Sequence, residues 1–263
     1  MNIIGIIPAR MASNRFPGKP LVEIAGRAMI YHVYWRSKMS KVLNCVYVAT
    51  CDREIEDYCR RAGIKVVMTA DTHERATDRA AEAVVKIEKE TKKNADIVVM
   101  IQGDEPMVFP EMIDSVVRPV VEKKDVRVAN LMAELKNEEE EKDPNIVKVV
   151  VGKDNNALYF SREAIPSRKK AKGAPPCYKQ VPIIPFARDF LITFNKLPQT
   201  PLEIIESVDM LRLLEHGYAV RMVPSGFSTY GVDTPRDLER VGKLMQADPL
   251  IPKYSDKGAK NGK

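Results

Sequence analysis

Apolar runs alternate with amphipathic stretches through the first hundred residues. "NIIGIIP" (2–8), "CVYVAT" (45–50), "IKVVMT" (64–69) and "DIVVMIQ" (96–102) are short and rich in Val and Ile, which predicts β-strands. Between them, residues 28–39 carry Ile30, Val33 and Tyr34 after Gly26. Residues 53–62 carry Ile55 and Cys59 and stop at Gly63, and residues 78–90 carry Ala80, Val84 and Ile87 at helical spacing. Strand–helix alternation predicts an α/β fold of three α/β/α layers around a mostly parallel sheet. Such sheets bind ligands beyond the C-terminal ends of their strands. That rule singles out the segments after Ile7, Thr50, Met68 and Ile101.

The second half is less regular. "KNEEEEKDPN" reads as a solvated turn, and "IVKVVVGKDNNALYFSR" as two strands joined at Lys153–Asn156. "SRKKAKGAPP" is basic and broken by Gly and Pro. "LEIIESVDMLRLLEHG" reads as one helix with Ile204, Val208 and Leu211 on its apolar face and Gly217 at its end. In "GVDTPRDLERVGKLM", Thr234 suits an N-cap and Pro235 the first helical position, and Leu238, Val241 and Met245 recur at helical spacing. The pattern predicts a single domain over 1–250, an inserted lid or dimerisation region at 155–225, and a disordered tail at 251–263.

Composition narrows the class. The chain has 263 residues, of which 44% are hydrophobic and 30% charged, enough for a large core in a water-soluble protein. No run reaches the roughly 18–20 consecutive apolar residues of a membrane helix. The first residues lack the basic flank and cleavage site of a signal peptide. Cys45, Cys51, Cys59 and Cys177 form no CxxC pair, so reduced thiols in the cytoplasm are expected, and three histidines make a histidine-built metal site a poor candidate. The last eleven residues supply three of the six net positive charges. The remaining bias comes with no nucleic-acid motif and suits a small anionic ligand better.

Three segments can carry chemistry. "IIPARMASNRFPGKP" (6–20) puts Arg10, Arg15 and Lys19 on a loop stiffened by proline and glycine, directly after the first strand. It is neither a Walker A loop nor a GxGxxG turn, because Pro20 follows Gly18-Lys19. Several cations are nonetheless what a triphosphate requires, and arginine forks match phosphate oxygens. The plainer reading is a solvated basic loop. "VVMIQGDEPM" (98–107) ends a strand at Gln102-Gly103-Asp104, where a carboxylate points into the ligand crevice and suits Mg²⁺, which takes one or two carboxylates and fills its shell with phosphate and water. The plainer reading there is a turn-forming aspartate. "TYGVDTP" (229–235) places Asp233 just before a helix that Thr234 already caps, leaving a second carboxylate for the same metal.

Taken together, "IIPARMASNRFPGKPL", "VATCD", "QGDEPM", "PNIVKVV", "ALYFSR", "TPLE" and "GVDTPRDLERV" appear in an order that resembles the 3-deoxy-manno-octulosonate (Kdo) cytidylyltransferase and CMP-sugar-acid synthetase family over about residues 3–245. The resemblance implies a nucleotidyltransferase-type fold, a homodimer, CTP, an acidic acceptor and Mg²⁺, with no nucleic-acid or membrane partner. It implies catalytic roles for Lys19, Arg10 and Asp104, and nucleotide contacts from Pro8, Ala9, Arg10, Arg15, Lys19, Thr77, Arg79 and Gln102. Asp104 and Asp233 would hold the metal. Gln102, Arg162, Gln180, Glu203 and Glu206 would face the acceptor, while Lys148 lies in a matching motif without an assigned role.

Two stretches depart from the family pattern. Arg75-Ala76 precedes Thr77-Asp78-Arg79 where the family has Ser-Gly. "QVPIIPF" (180–186) replaces a more polar segment that lines the sugar site, with Gln180 in place of a histidine. The implied reaction is attack of the acceptor hydroxyl on the α-phosphorus of CTP with loss of pyrophosphate. Two rivals stay open: cytidylyl transfer to another sugar acid, phosphate or phosphonate, and a non-catalytic nucleotide sensor on the same fold.

Overall fold

The computed structural model describes residues 1–12, 16–173 and 175–255. The chain divides into two compact units, Met1–Asp114 together with Thr229–Lys263, and Ser115–Ser228. The sequence-based boundary of an insertion at 155 is therefore placed too late.

The first unit begins with β1 (Ile3–Pro8), a small hairpin of β2 (Glu23–Ile24) and β3 (Arg27–Ala28), and α1 (Met29–Ser37). β4 (Cys45–Thr50), α2 (Arg53–Arg61), β5 (Val66–Met68), α3 (Ala76–Thr91) and β6 (Ile97–Ile101) follow. Each expected strand and helix of the first hundred residues is present. Within this unit the strands run β6-β1-β4-β5, all parallel. β6 is buried along its whole length and β1 along all but its last residue, so both faces of the sheet are covered. Each Ile or Val buried this way contributes about 1.5–3 kcal/mol over leaving it in water. α4 (Pro110–Glu122) carries the chain into the second unit.

The second unit holds β7 (Ala129–Glu134), α5 (Glu138–Lys142), β8 (Lys148–Val151), β9 (Ala157–Ser161), β10 (Tyr178–Val181), β11 (Ile183–Ala187), α6 (Arg188–Lys196), α7 (Pro201–Glu206), α8 (Met210–Glu215) and β12 (Arg221–Pro224). Its mixed sheet runs β12-β7-β10-β8-β9. β7 is why the boundary falls early: it pairs with β10 on one side and β12 on the other, so it cannot belong to the parallel sheet of the first unit.

Two expectations for this unit are corrected. The acidic run folds into α5, because Asn137 caps it through Glu140 N at 2.9 Å and its glutamates fill the first turn, where the helix dipole favours them. The expected single helix over 202–217 breaks at Ser207, which adopts φ 51°. Arg162 takes the carbonyls of Glu206 and Ser207, at 2.6 and 3.2 Å, that a continuing helix would need.

The chain then returns to the first unit with α9 (Pro235–Met245), whose start is a reciprocal capping box between Thr234 and Asp237. The expected disordered tail is corrected over its first residues. Ile251–Lys253 form a 3₁₀ turn, and Tyr254 is buried, its hydroxyl 2.9 Å from His32 Nδ1. Since His32 Nε2 lies 2.7 Å from the Ile24 carbonyl, that nitrogen carries the proton and the Tyr254 hydroxyl donates to Nδ1. The rest of the expected tail, 256–263, lies outside the described residues. All four cysteines are free thiols, and burial pushes that of Cys59 up to about 12.

Candidate active site

Three segments of the first unit meet at one place. The loop after β1 is closed by Gly18 N donating to Met11 O at 3.0 Å and is tied to the end of β4 by Met11 N donating to Asp52 Oδ2 at 2.7 Å. Gly18 takes φ 73°, a left-handed conformation that a side chain disfavours, and so starts the 3₁₀ turn Lys19–Leu21 in which Pro20 is buried. The base of Lys19 is thereby fixed. The turn after β6 comes close to β1: a Cβ on Gly103 would lie 3.2 Å from the Pro8 carbonyl, so only glycine lets Asp104 sit here without a shift. The third segment, 229–234, is stitched to that turn by Val232 N donating to Asp104 O at 2.9 Å and Tyr230 N donating to Glu105 Oε2 at 3.2 Å. Beneath them, Ile24, Met29, Met107, Val232, Val241 and Met245 form an apolar cluster that holds the segments in register.

At this junction the Lys19 ammonium lies 2.9 Å from Asp104 Oδ2 and 3.0 Å from Asp233 Oδ1. The three side chains are 13%, 23% and 31% exposed, so the cluster is open to a ligand without being fully solvated. Burial alone would lower the pKa of Lys19. The charges of Asp104 and Asp233, with the hydrogen bonds to both, outweigh it and hold the pKa above the ordinary lysine value. Thr234 caps α9, which frees the Asp233 carboxylate to turn toward Lys19. The pair of carboxylates fits a small divalent cation, since one ammonium already lies within 3.0 Å of an oxygen of each. An ion held by two carboxylates completes its shell with phosphate oxygens and water.

The other expected nucleotide residues are placed as follows. Pro8 ends β1, Ala9 is buried with its N–H on Ala49 O at 2.9 Å, and Arg10 is exposed on the loop. Arg15 lies outside the described residues. Gln102 is half-buried directly after β6. Thr77 and Arg79 are buried in the first turn of α3, and Arg79 donates to Thr69 Oγ1 at 2.5 Å and Ala70 O at 3.2 Å, fixing the exit of β5.

The expected acceptor residues of the second unit have internal partners. Glu203 is corrected: it is fully buried in a two-point ion pair, with Arg212 Nε and Nη2 at 2.7 and 2.6 Å, and is not a surface for substrate. Glu206 accepts from Ser161 Oγ at 2.8 Å and from Arg162 N at 2.8 Å. The Arg162 guanidinium donates to the carbonyls of Pro144, Glu206 and Ser207. Gln180 Nε2 donates to Asn130 Oδ1 at 2.6 Å. Lys148 is buried and donates to the carbonyls of Asp143, Ile146 and Arg162. The apolar character of 180–186 has a packing cause as well: Ile183, Ile184 and Phe186 are core residues, and Phe186 stacks on Phe194 at 5.9 Å. Sequence reasoning missed the Glu105 latch, although its adjacency to Asp104 in "GDEP" was the available signal, and missed that Lys19 bridges the two carboxylates.

A parallel sheet that gathers a lysine and two carboxylates beyond its strand ends is the arrangement of an α/β enzyme that handles a phosphorylated ligand. A model of the cytidylyltransferase family matches residues 4–222. The 3-deoxy-manno-octulosonate cytidylyltransferase of Geobacter metallireducens is 42% identical over 251 residues, covering 92% of this chain and 96% of that protein. The mitochondrial 3-deoxy-manno-octulosonate cytidylyltransferase of Arabidopsis thaliana is 41% identical over 246 residues, covering 93% and 83%. A solved structure of CMP:2-keto-3-deoxy-manno-octonic acid synthetase complexed with CTP is similar with a TM-score of 0.85 at 38% identity, covering 94% of this chain and 99% of that one. The chain belongs to the cytidylyltransferase family.

Proposed function

We propose that this protein transfers the CMP group of CTP to the anomeric hydroxyl of Kdo. The hydroxyl oxygen attacks the α-phosphorus, its proton leaves as the bond forms, and the α–β phosphoanhydride bond breaks to release pyrophosphate. The observation that carries the reading is the convergence of Lys19, Asp104 and Asp233 at the strand ends, in a chain about 40% identical to proteins of that activity. Lys19 supplies a point charge to the triphosphate, and the exposed Arg10 adds a second from the loop. Asp104 and Asp233 would hold Mg²⁺, which when bound offsets phosphate charge and favours loss of the hydroxyl proton. Catalysis rests on alignment and charge neutralisation, with no covalent enzyme intermediate. Gln102 is the proposed contact nearest the transferred group. Gln180, Arg162 and Glu206 are the proposed acceptor-facing residues, and each is held in place by a partner within its own unit. A homodimer belongs to the proposal, supported by the exposed Leu158 on edge strand β9 and by Ile204 and Ile205 on α7.

The test is pyrophosphate release across the four nucleoside triphosphates and a panel of sugar acids, phosphates and phosphonates. Release with CTP and Kdo, and with no other pair at comparable rate, is expected. Release with a different acid and none with Kdo would overturn the acceptor assignment.

A further inference from the structure

We propose that Lys19 is the built-in occupant of the cation position between Asp104 and Asp233, so that a divalent ion binds there strongly only after a polyphosphate has drawn the ammonium away. The inference rests on the reading of the two aspartates as metal carboxylates. Lys19 engages one oxygen of each, Asp104 Oδ2 at 2.9 Å and Asp233 Oδ1 at 3.0 Å. An ammonium is all donor, and a metal ion likewise draws on the lone pairs of those oxygens, so the two compete for the same pair of carboxylates. A dication brought against an ammonium also meets like-charge repulsion. The backbone of Lys19 is pinned by Gly18 in its left-handed conformation and by buried Pro20, so exchange is left to the flexible four-carbon stem. Phosphate oxygens give that stem an alternative partner. The ammonium thus holds the carboxylates together in the empty protein and yields them when the anion that must accompany the metal arrives. Nucleotide and metal become mutually dependent through this chain's own side chain.

The experiment measures Mn²⁺ binding to the full chain without nucleotide, from the electron paramagnetic resonance signal of free Mn²⁺. Wild type is compared with Lys19→Met, which keeps the stem and removes the charge, with Lys19→Gln as a second neutral variant should the first fail to fold. The neutral variant is expected to bind Mn²⁺ at least tenfold more tightly than wild type. Adding Asp104→Asn to it is expected to remove the gain, and Arg10→Met, which deletes an exposed loop charge outside the ion pair, is expected to leave affinity within about twofold of wild type. Equal affinities of wild type and neutral variant, both lost with Asp104→Asn, would overturn the exchange while leaving the metal carboxylates in place. Binding insensitive to Asp104→Asn in both backgrounds would overturn the metal assignment itself. A gain from Arg10→Met as large as from Lys19→Met would reduce Lys19 to one charge among several and end the proposal.

Discussion

Each unit contains an ion pair that includes a residue singled out in the sequence, and the two clusters differ in kind. In the first unit Lys19 sits between Asp104 and Asp233 with all three side chains partly open, at 13%, 23% and 31% exposure. In the second, Glu203 and Arg212 clasp one another at 0% and 5%. The open cluster is partly reachable from solvent, so a ligand can compete for its charges. The sealed one is balanced charge for charge, and its polar atoms are engaged by the fold. A charged residue can serve as a site where its ion pair stays reachable, and becomes a strut where its ion pair is sealed from solvent.

Four substitutions or conditions probe that contrast. The largest effect is expected from Asp104→Ala, which should abolish turnover and leave the circular dichroism spectrum unchanged. Retention of more than about a tenth of the rate, ~1.4 kcal/mol on the barrier, would make the open cluster another strut. Next, Glu203→Ala strands Arg212 as an uncompensated buried charge and should cost about 3–5 kcal/mol in denaturant unfolding. Unchanged stability with a raised KM for the acceptor would restore Glu203 to the substrate and erase the contrast. Gln180→Ala removes a partner from fully buried Asn130 and should cost about 1–3 kcal/mol. A loss of acceptor affinity larger than that stability change would show that its free carbonyl works on substrate.

The smallest effect concerns acid. Burial lowers the pKa of His32 below its ordinary 6.5, so in the window below 6.5 the unfolded chain takes up a proton that the folded chain refuses. Stability should therefore fall as pH drops from about 7.5 to 5.5, and His32→Gln should flatten that part of the urea-midpoint profile. A wild-type profile as flat as that of the variant would mean the ring is charged in its niche.

The parts of the fold legible in the sequence are those set by local periodicity. The strands of the parallel sheet and helices α1 to α3 announce themselves by residue type, and α9 by its cap. The position of Asp104 beyond β6 was legible because a strand end is a local feature with a global meaning. What escaped depends on partners distant in sequence. The break at Ser207 is stabilised by Arg162, forty-five residues away, and Tyr254 is ordered by His32 and Tyr31 near the other end of the chain. Glu203 looked available because nothing local reveals that Arg212 will close on it. Glu105 escaped because its adjacency to Asp104 shows where it sits but not its partner, a backbone N–H at Tyr230.

The first unit is discontinuous, with its two stretches interrupted by Ser115–Ser228. On the ribosome, Lys19 and Asp104 emerge well before Asp233, Asp104 by roughly 6 to 26 s at ordinary elongation rates. Met107 waits equally long for Val232, Val241 and Met245, its neighbours in the apolar cluster. The nascent chain thus passes through a stage with one of the two carboxylates and an unroofed hydrophobic floor, and the cluster is complete only once the chain has returned to the first unit.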